Sequence, residues 1–297
     1  MSPNNELDAY ILEHLNHLLP EVINGERLVY HYTTINTFEA LTKEKADFVC
    51  TYCGALNDKA EFSTGIELLE RYFKQHPHAS CGLSMVTLKS MAEVPEFGSW
   101  SMSFSSVGDS LNQWISYTDR HEGGVSLGFN VDDLFNRIKQ ATRAPQLLYL
   151  VPCLYASMHE KEIEGLISFL FGPYRDALYK QCMMRGCLVD ASQSLAMITL
   201  SISLIFAAMV KDESFREEKE WRIVLQPFDE VITRGCEFLG GKPRLYTHLF
   251  GKDFQIAQSI RDVVCSPHGM VNSKVQMIAN LRKLAVKPRA SKSTYIS

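Results

Sequence analysis

Residues 217–225 read Glu217-Glu218-Lys219-Glu220-Trp221-Arg222-Ile223-Val224-Leu225, a charged run that passes directly into an apolar run. Alternation with a period of two predicts a buried strand that starts at Glu220, with Trp221, Ile223 and Leu225 on one face. Glu220, Arg222 and Val224 would share the other face. Two interpretations stay open: Glu220 belongs to an active site, or the charged residues form an ordinary solvated strand edge and pair with one another.

The segments on either side of this strand predict an α+β fold. Runs of β-branched and aromatic residues predict strands at 27–34, 46–51, 101–105, 123–129, 147–155, 220–226 and 261–266. Apolar residues at helical spacing predict helices at 7–19, 35–41, 64–75, 110–117, from 131 onwards, through most of 161–210 and at 273–283. Thr33 or Thr34 would cap the second of these helices, and Ser63 or Thr64 the third.

No internal repeat or linker rich in glycine, proline or serine interrupts this pattern. The simplest organisation is therefore one α+β domain over 1–297, with a mixed, strongly twisted central sheet. An N-terminal helix within 1–26 and a helical insertion at 156–214 would be added to that sheet.

Composition and charge limit the class of protein. The chain has 297 residues, a net charge of -4 and a sequence pI of about 6.2, so it has no overall electrostatic footprint for nucleic acid or an anionic membrane. Eight cysteines spread through a long chain are typical of a reducing compartment, and the first residues lack a secretory signal, so a cytoplasmic location is expected. The uncharged segment 195–210 falls short of the roughly 20 apolar residues of a spanning helix, so it is predicted to be a buried core helix.

Short motifs for zinc, for a hydrolase nucleophile and for nucleotides are incomplete or absent in the sequence. Cys50 and Cys53 have the spacing of a zinc knuckle, but no second pair of ligands follows, so no metal is predicted. The sequence from Gly124 to Gly128 matches the G-x-S-x-G of a hydrolase elbow, but the apolar run continues where that motif requires a sharp turn. The two commonest nucleotide-binding signatures do not occur.

Two aromatic pairs have both a structural and a functional interpretation. His31 on a strand is suited to hold a ribose hydroxyl or a phosphate, with Tyr32 stacking on a base, but a hydrogen-bonded structural histidine is the alternative. Trp114 and Tyr117 stand three apart and so share one helix face, either in the core or as a platform for a ligand ring.

Six short motifs then occur in one order along the chain. They are His31-Tyr32-Thr33, Asn57-Asp58-x-x-Glu61, Ser103-Phe104-Ser105, Trp114-x-x-Tyr117, Gly124-Val125-Ser126-Leu127-Gly128-Phe129 and Glu218-Lys219-Glu220-Trp221-Arg222. In order and spacing they resemble the bacterial family called domain of unknown function 2971, over residues 27–296. Members of that family are grouped with ADP-ribosyltransferase-like proteins, which use NAD and carry a His, a Ser or aromatic segment and a Glu on three successive core strands. The resemblance therefore implies an ADP-ribosyltransferase-like sheet and NAD as the substrate.

The resemblance also implies which residues bind NAD. His31, followed by Tyr32 and Thr33, would bind the adenosine ribose. Ser103 or Ser105 would form the nicotinamide-side wall together with one of the two rings, Trp114 or Tyr117. Because this aromatic motif lies on a helix after the serine strand, the ring that faces nicotinamide stays open.

The same resemblance makes Glu220 the catalytic carboxylate. Cleavage of the bond between nicotinamide and ribose passes through an oxocarbenium-like state, and a carboxylate that binds the ribose 2'-hydroxyl stabilises that developing charge. An aromatic face would hold the cationic pyridinium, a contact worth about 1 to 2 kcal/mol when desolvated. Glu218 would orient the acceptor or act as the second acid of a Glu-x-Glu pair.

The expected function is an NAD-dependent ADP-ribosyltransferase or NAD glycohydrolase in a bacterial cytoplasm, acting as a toxin or phage-defence effector on an unidentified protein or nucleic-acid acceptor, with no membrane partner. One alternative is a non-catalytic module of the same fold that binds a nucleotide or a protein, with Glu220 held in a salt bridge. Another is a nucleic-acid end-processing enzyme with a phosphate-facing tail formed by Lys283, Lys287, Arg289 and Lys292, residues that an unstructured terminus would equally explain.

Overall fold

A computed structural model describes residues 3–23, 25–44, 46, 48–55, 59–95, 97–119, 121–141, 148–184, 191–226, 234–239, 242–248, 256–267 and 271–293. The α-helices are α1 (Pro3–His14), α2 (Ile35–Leu41), α3 (Lys59–Gln75), α4 (Met85–Ala92), α5 (Leu111–Tyr117), α6 (Val131–Ala141), α7 (Glu160–Phe169), α8 (Arg175–Met184), α9 (Ala191–Met209) and α10 (Val271–Leu281). The strands are β1 (Val22–Ile23), β2 (Glu26–Thr34), β3 (Val49–Tyr52), β4 (Trp100–Ser105), β5 (Gly124–Asn130), β6 (Leu148–Pro152), β7 (Leu154–Tyr155), β8 (Val210–Lys211), β9 (Glu220–Leu225), β10 (Arg234–Leu239), β11 (Lys242–His248), β12 (Ile260–Cys265) and β13 (Arg289–Ala290).

Eleven of the strands form one twisted sheet whose pairs are antiparallel except for β12 and β13. The order along the sheet is β10-β11-β3-β4-β2-β5-β12-β13, with β1 beside β2 and with β9 between β4 and β6. β7 and β8 form a separate parallel pair. The coarse prediction of an α+β chain with a mixed sheet is therefore confirmed.

The sheet is continuous on one side of β4 and almost interrupted on the other. β9 pairs with β4 over all six residues, from Trp100 to Ser105. The opposite edge of β4 is shared, because β3 pairs with Trp100 and Ser101 while β2 pairs with Ser105 alone, through Tyr30. The part of the sheet that contains β2 and β5 is thus joined to the part that contains β4 and β9 through a single residue pair among those described.

The two faces of β9 pack against two different cores. Trp221, Ile223 and Leu225 belong to a cluster that includes buried residues of α2 and α10, whereas Val224 belongs to a cluster built largely by α3, α7 and α9. This division follows from the alternation of side chains along the strand. Glu220 and Arg222 share the face of Val224, so both are directed towards the helical layer.

Most of the predicted elements are present, but α3 starts earlier than predicted and several further elements, among them α4, β1 and β13, were not predicted. α3 begins at Lys59, so the predicted cap at Ser63 or Thr64 is wrong; Phe62, in the added turn, packs against the core cluster of α9. The hairpin of β10 and β11 was not predicted, nor was β8, which continues the chain directly from α9. The cap at Thr34 is confirmed, since its hydroxyl accepts the Thr37 backbone N–H at 3.2 Å.

The uncharged helix α9 is buried, as predicted, with Leu204, Phe206 and Ala208 fully enclosed. Within the described residues, no helix is both long enough and apolar enough to cross a membrane. The motif residues Asn57 and Asp58 lie outside the described residues, and Glu61 is described only as part of the backbone of α3.

Candidate functional site

Four charged side chains meet where β9 begins, and they are called the charge cluster below: Lys211, Glu218, Glu220 and Arg222. The Nζ of Lys211 contacts Glu218 Oε2 at 2.5 Å and Glu220 Oε2 at 2.6 Å. The guanidinium of Arg222 donates to both carboxylate oxygens of Glu220, at 2.7 Å from Nε and 3.0 Å from its second terminal nitrogen. The cluster therefore contains two cations and two carboxylates, and it is neutral as a unit.

The chain geometry explains why these residues meet. Arg222 follows Glu220 by two positions on one strand, so the two side chains share a face. Lys211 arrives from the other direction, because α9 ends at Met209 and passes at once into β8. Lys219 adopts a left-handed conformation, with φ of 44°, which turns the chain between Glu218 and the strand.

Glu220 is the buried member of the carboxylate pair. Its side chain is 4% exposed, and its backbone N–H donates to the Tyr155 hydroxyl at 3.1 Å. Burial alone raises the pKa of Glu220, but the charges and hydrogen bonds of Arg222 and Lys211 outweigh burial and lower this pKa to about 2. Glu220 is therefore ionised at neutral pH and has both oxygens engaged by cations.

Glu218 is the more accessible member. Its side chain is 16% exposed, and Oε1 accepts a hydrogen bond from the Tyr117 hydroxyl at 3.3 Å. Its backbone carbonyl accepts the Ser105 hydroxyl at 2.7 Å and the side-chain amide of Gln113 at 3.4 Å. A partly exposed carboxylate is thus held in place by groups from β4, α5 and β8.

The two rings of α5 have different environments. Trp114 is fully buried, with its Nε1 donating to Asp109 Oδ1 at 2.8 Å and its ring edge-on to Tyr32 at a centroid distance of 4.7 Å. The Tyr32 hydroxyl donates to the Val107 carbonyl at 2.8 Å. Tyr117 is 45% exposed. The structural interpretation therefore holds for Trp114 and Tyr32, and Tyr117 is the ring that a ligand could reach.

His31 lies apart from the charge cluster. Its Nδ1 is 3.0 Å from the Ser103 carbonyl, on the stretch of β4 between its pairings with β2 and β3, and its ring lies near Phe104 at a centroid distance of 5.8 Å. Since a carbonyl only accepts, this contact requires the proton on Nδ1.

The register of the strands explains this separation. Tyr30 faces Ser105 across β2 and β4, and Ser105 faces Glu220 across β4 and β9, so these three side chains share a face. His31, the next residue of β2, is on the opposite face. The structure therefore does not bring His31 and Glu220 together, although the strands that carry them are separated only by β4.

Of the remaining predicted contacts, Thr33 is buried in β2, and Ser103 is exposed on β4 opposite Arg222. Ser126 is fully buried within β5, in mid-strand, without the strand-to-helix turn of a hydrolase elbow. No group of three or more potential metal ligands is found in the part of the chain that the structure describes.

Sequence reasoning missed Lys211, Gln113 and Tyr155. For Lys211 a signal was present: it is the first charged residue after an uncharged helix, and a lysine that close to a core needs a carboxylate partner. Gln113 and Tyr155 had no comparable signal, because their contacts to the backbone of Glu218 and Glu220 depend on the tertiary fold.

Comparison with known proteins gives one match. A model of the family described as Protein of unknown function (DUF2971) matches residues 113–223, a segment that contains the whole charge cluster together with Tyr117 and Tyr155. No curated protein and no solved structure matches the chain. The wider extent of the resemblance, over residues 27–296, remains a prediction. Over residues 113–223 the match confirms the resemblance to the DUF2971 family that the sequence motifs predicted.

Proposed function

We propose that this chain cleaves the bond between nicotinamide and ribose in NAD, as an ADP-ribosyltransferase or an NAD glycohydrolase, and that Glu218 is the carboxylate that faces the substrate. The observation that carries the proposal is the position of Glu218. It is fixed by Lys211 and by the bonds to its backbone carbonyl, yet it remains partly exposed beside the accessible ring of Tyr117.

The strand arrangement supports an ADP-ribosyltransferase-like fold. The strands that carry His31, Ser105 and Glu220 are β2, β4 and β9, and they are neighbours in that order. β2 and β4 are joined by one residue pair, Tyr30 with Ser105, and by the contact of His31 with the Ser103 carbonyl. The resemblance to ADP-ribosyltransferase-like proteins implies a His, a Ser or aromatic segment and a Glu on three successive core strands.

The chemistry assigns different roles to the two carboxylates. In the reaction, the C–N bond breaks, its electron pair leaves with neutral nicotinamide, and C1' of the ribose becomes positively charged. Water or an acceptor then adds to C1' and loses a proton. Glu218, which is partly exposed, would oppose the positive charge, while the face of Tyr117 would hold the pyridinium.

Glu220 then acts as a positioning residue. It shares Lys211 with Glu218, and without Glu220 that lysine would be free to move towards the remaining carboxylate. This assignment moves the substrate-facing role from Glu220 to Glu218, because Glu220 is buried and both its oxygens contact cations.

A non-catalytic nucleotide-binding module is the second candidate, and one observation favours it. All four charges of the cluster are compensated within the protein, as in a purely structural ion-pair network. Incubation of the purified protein with NAD, followed by chromatography of free nicotinamide, separates the two. Release of nicotinamide supports the enzyme, whereas a thermal shift with NAD or ADP-ribose and no release supports the module.

A second incubation, with cell lysate added, identifies the type of enzyme. With NAD labelled on its adenine ring, a transferase leaves label on a protein or nucleic acid of the lysate, while a glycohydrolase gives free ADP-ribose only. If folded protein neither shifts with NAD nor consumes it, both candidates fail.

A further inference from the structure

The segment 271–293 is strongly basic. It contains six cations and no aspartate or glutamate, in a chain whose net charge is -4. These cations are Lys274, Arg282, Lys283, Lys287, Arg289 and Lys292. The remainder of the chain must therefore carry a net charge of -10, so positive charge is concentrated on this segment. We call the surface formed by α10 and residues 282–293 the basic face.

The basic face is fixed to the rest of the fold. Arg289 pairs with Asp262 at 2.8 Å, and β13 pairs with β12. Asp109 accepts the Lys292 backbone N–H at 2.6 Å and the Ser291 hydroxyl at 2.5 Å, while it also holds the indole of Trp114. This segment is therefore not an unstructured terminus, and it is anchored to the loop that leads into α5.

The six cations differ in their ion pairs with the residues that the structure describes. Arg289 is neutralised by Asp262. The others are exposed at the surface, and none makes an ion pair with another described residue; they are Lys274, Arg282, Lys283, Lys287 and Lys292. Like charges that are not compensated within a protein repel one another, so an anionic partner would relieve that repulsion.

A groove of about 800 Å³ lies on this face, between α10 and the segment that contains Pro288. Asn272, Gln276 and Asn280 recur every four residues along one side of the helix and supply amide groups. Met277 and Leu281 add apolar surface, and they are 57% and 72% exposed. The floor of the groove is thus polar and apolar. Each of the six cations is within two residues of a groove residue in sequence, and we call these six residues the rim.

We infer that the groove binds a single strand of nucleic acid. Lysines and arginines at the rim would contact phosphates. Gln276 donates to Asn280 Oδ1 at 3.0 Å, and the other donor and acceptor positions of the three amides would pair with the edges of unpaired bases. The exposed methionine and leucine offer apolar surface to the base faces, and an acidic peptide such as polyglutamate has no flat apolar face of that kind. A duplex would hide both the faces and the edges.

Fluorescence anisotropy with labelled single-stranded RNA and single-stranded DNA tests the inference on the full chain. The variant Lys274→Gln/Lys283→Gln/Lys287→Gln removes three rim charges. The slope of log K against log salt is negative, and each lost phosphate contact should make it less negative by roughly 0.7. The slope of the triple variant should therefore be smaller in magnitude by about 2, and its affinity at low salt should be lower by on the order of tenfold or more.

A matched control removes three exposed lysines from other surfaces, with Lys43→Gln/Lys161→Gln/Lys180→Gln. This control has the same net charge and should retain the wild-type slope. Met277→Glu, which places a carboxylate in the groove at an exposed position, should also weaken binding. Circular dichroism of each variant confirms that it is folded.

The inference is overturned by any of three results. These are absence of binding to either strand at low salt, equal loss in both triple variants, and competition by polyglutamate or duplex DNA as effective as by the single strand. Preference for RNA or for DNA supports the inference and identifies the ligand. None of these outcomes depends on NAD turnover, so failure here leaves the proposed function standing.

Discussion

The charge cluster has a buried side and an open side, and the two carboxylates on either side of Lys219 occupy them. Glu220 is 4% exposed and is bonded by Arg222 and Lys211, whereas Glu218 is 16% exposed and is bonded by Lys211 and by the phenol of Tyr117. Both carboxylates depend on the same lysine. Neighbouring charges of one motif therefore differ in how far they are buried and in how many cations they contact.

The two carboxylates differ in the free-energy cost of leaving their cationic partners. A buried carboxylate with two cationic partners cannot leave them for a substrate without a large penalty. A partly exposed carboxylate loses less free energy when it leaves its cation, because water already reaches it. Each prediction below changes one side of the cluster and leaves the other in place.

The largest expected effect is on stability, from Glu220→Gln. This change removes the buried carboxylate that Arg222 and Lys211 both contact, and removal of one partner from a buried pair costs about 3 to 5 kcal/mol. Denaturant unfolding of wild type and variant measures the difference. Glu217→Gln is the matched control, because its carboxylate is 65% exposed and contacts the exposed Arg216. A loss below about 1 kcal/mol for Glu220→Gln would mean that the pair contributes no more than a surface salt bridge.

The next effect is the dependence of stability on pH. The pKa of Glu220 is about 2 in the folded chain and 4.5 as an ordinary carboxyl group. A carboxyl group whose pKa is lower in the folded chain than in the unfolded chain stabilises the fold at pH values above the unfolded-state pKa. This stabilisation is lost as the pH falls from 4.5 towards 2. At about 1.4 kcal/mol for each pH unit, the loss is about 3 kcal/mol.

Urea unfolding at pH 7, 4 and 3 measures this loss. Glu220→Gln has no titrating group at that position, so its unfolding free energy should fall less steeply over the same interval. Identical pH profiles for wild type and variant would show that other carboxyl groups account for acid sensitivity.

A small effect on stability is expected from Tyr117→Phe. The phenol donates a hydrogen bond to Glu218 near the protein surface, and loss of that bond should cost about 0.5 to 1.5 kcal/mol. Because the ring that would stack on nicotinamide is retained, NAD turnover should fall less than with Tyr117→Ala. Differential scanning calorimetry and nicotinamide release measure the two quantities. Equal NAD turnover by Tyr117→Phe and Tyr117→Ala would show that the ring of Tyr117 does not contact the substrate.

The sequence predicts local structure better than it predicts the site. Alternation along 220–226 is enough to place β9, and the cap at Thr34 follows from short-range rules. The position of His31 is different, because the face it occupies depends on one pairing between Tyr30 and Ser105 that no local pattern encodes. Lys211 illustrates the same limit: its charge and position were visible, but its partners depend on how α9 enters the strand β8.

The most direct test of the central claim is nicotinamide release from NAD by Glu218→Gln, measured beside wild type and Glu217→Gln. Lys211 keeps its bond to Glu220 when Glu218 is replaced by its amide, so Glu218→Gln should lose less stability than Glu220→Gln and remain folded. Loss of a carboxylate that opposes transition-state charge should lower turnover by about 10²-fold or more. Wild type and Glu217→Gln should release nicotinamide at similar rates. Full turnover by folded Glu218→Gln, or none by folded wild type, would contradict the account.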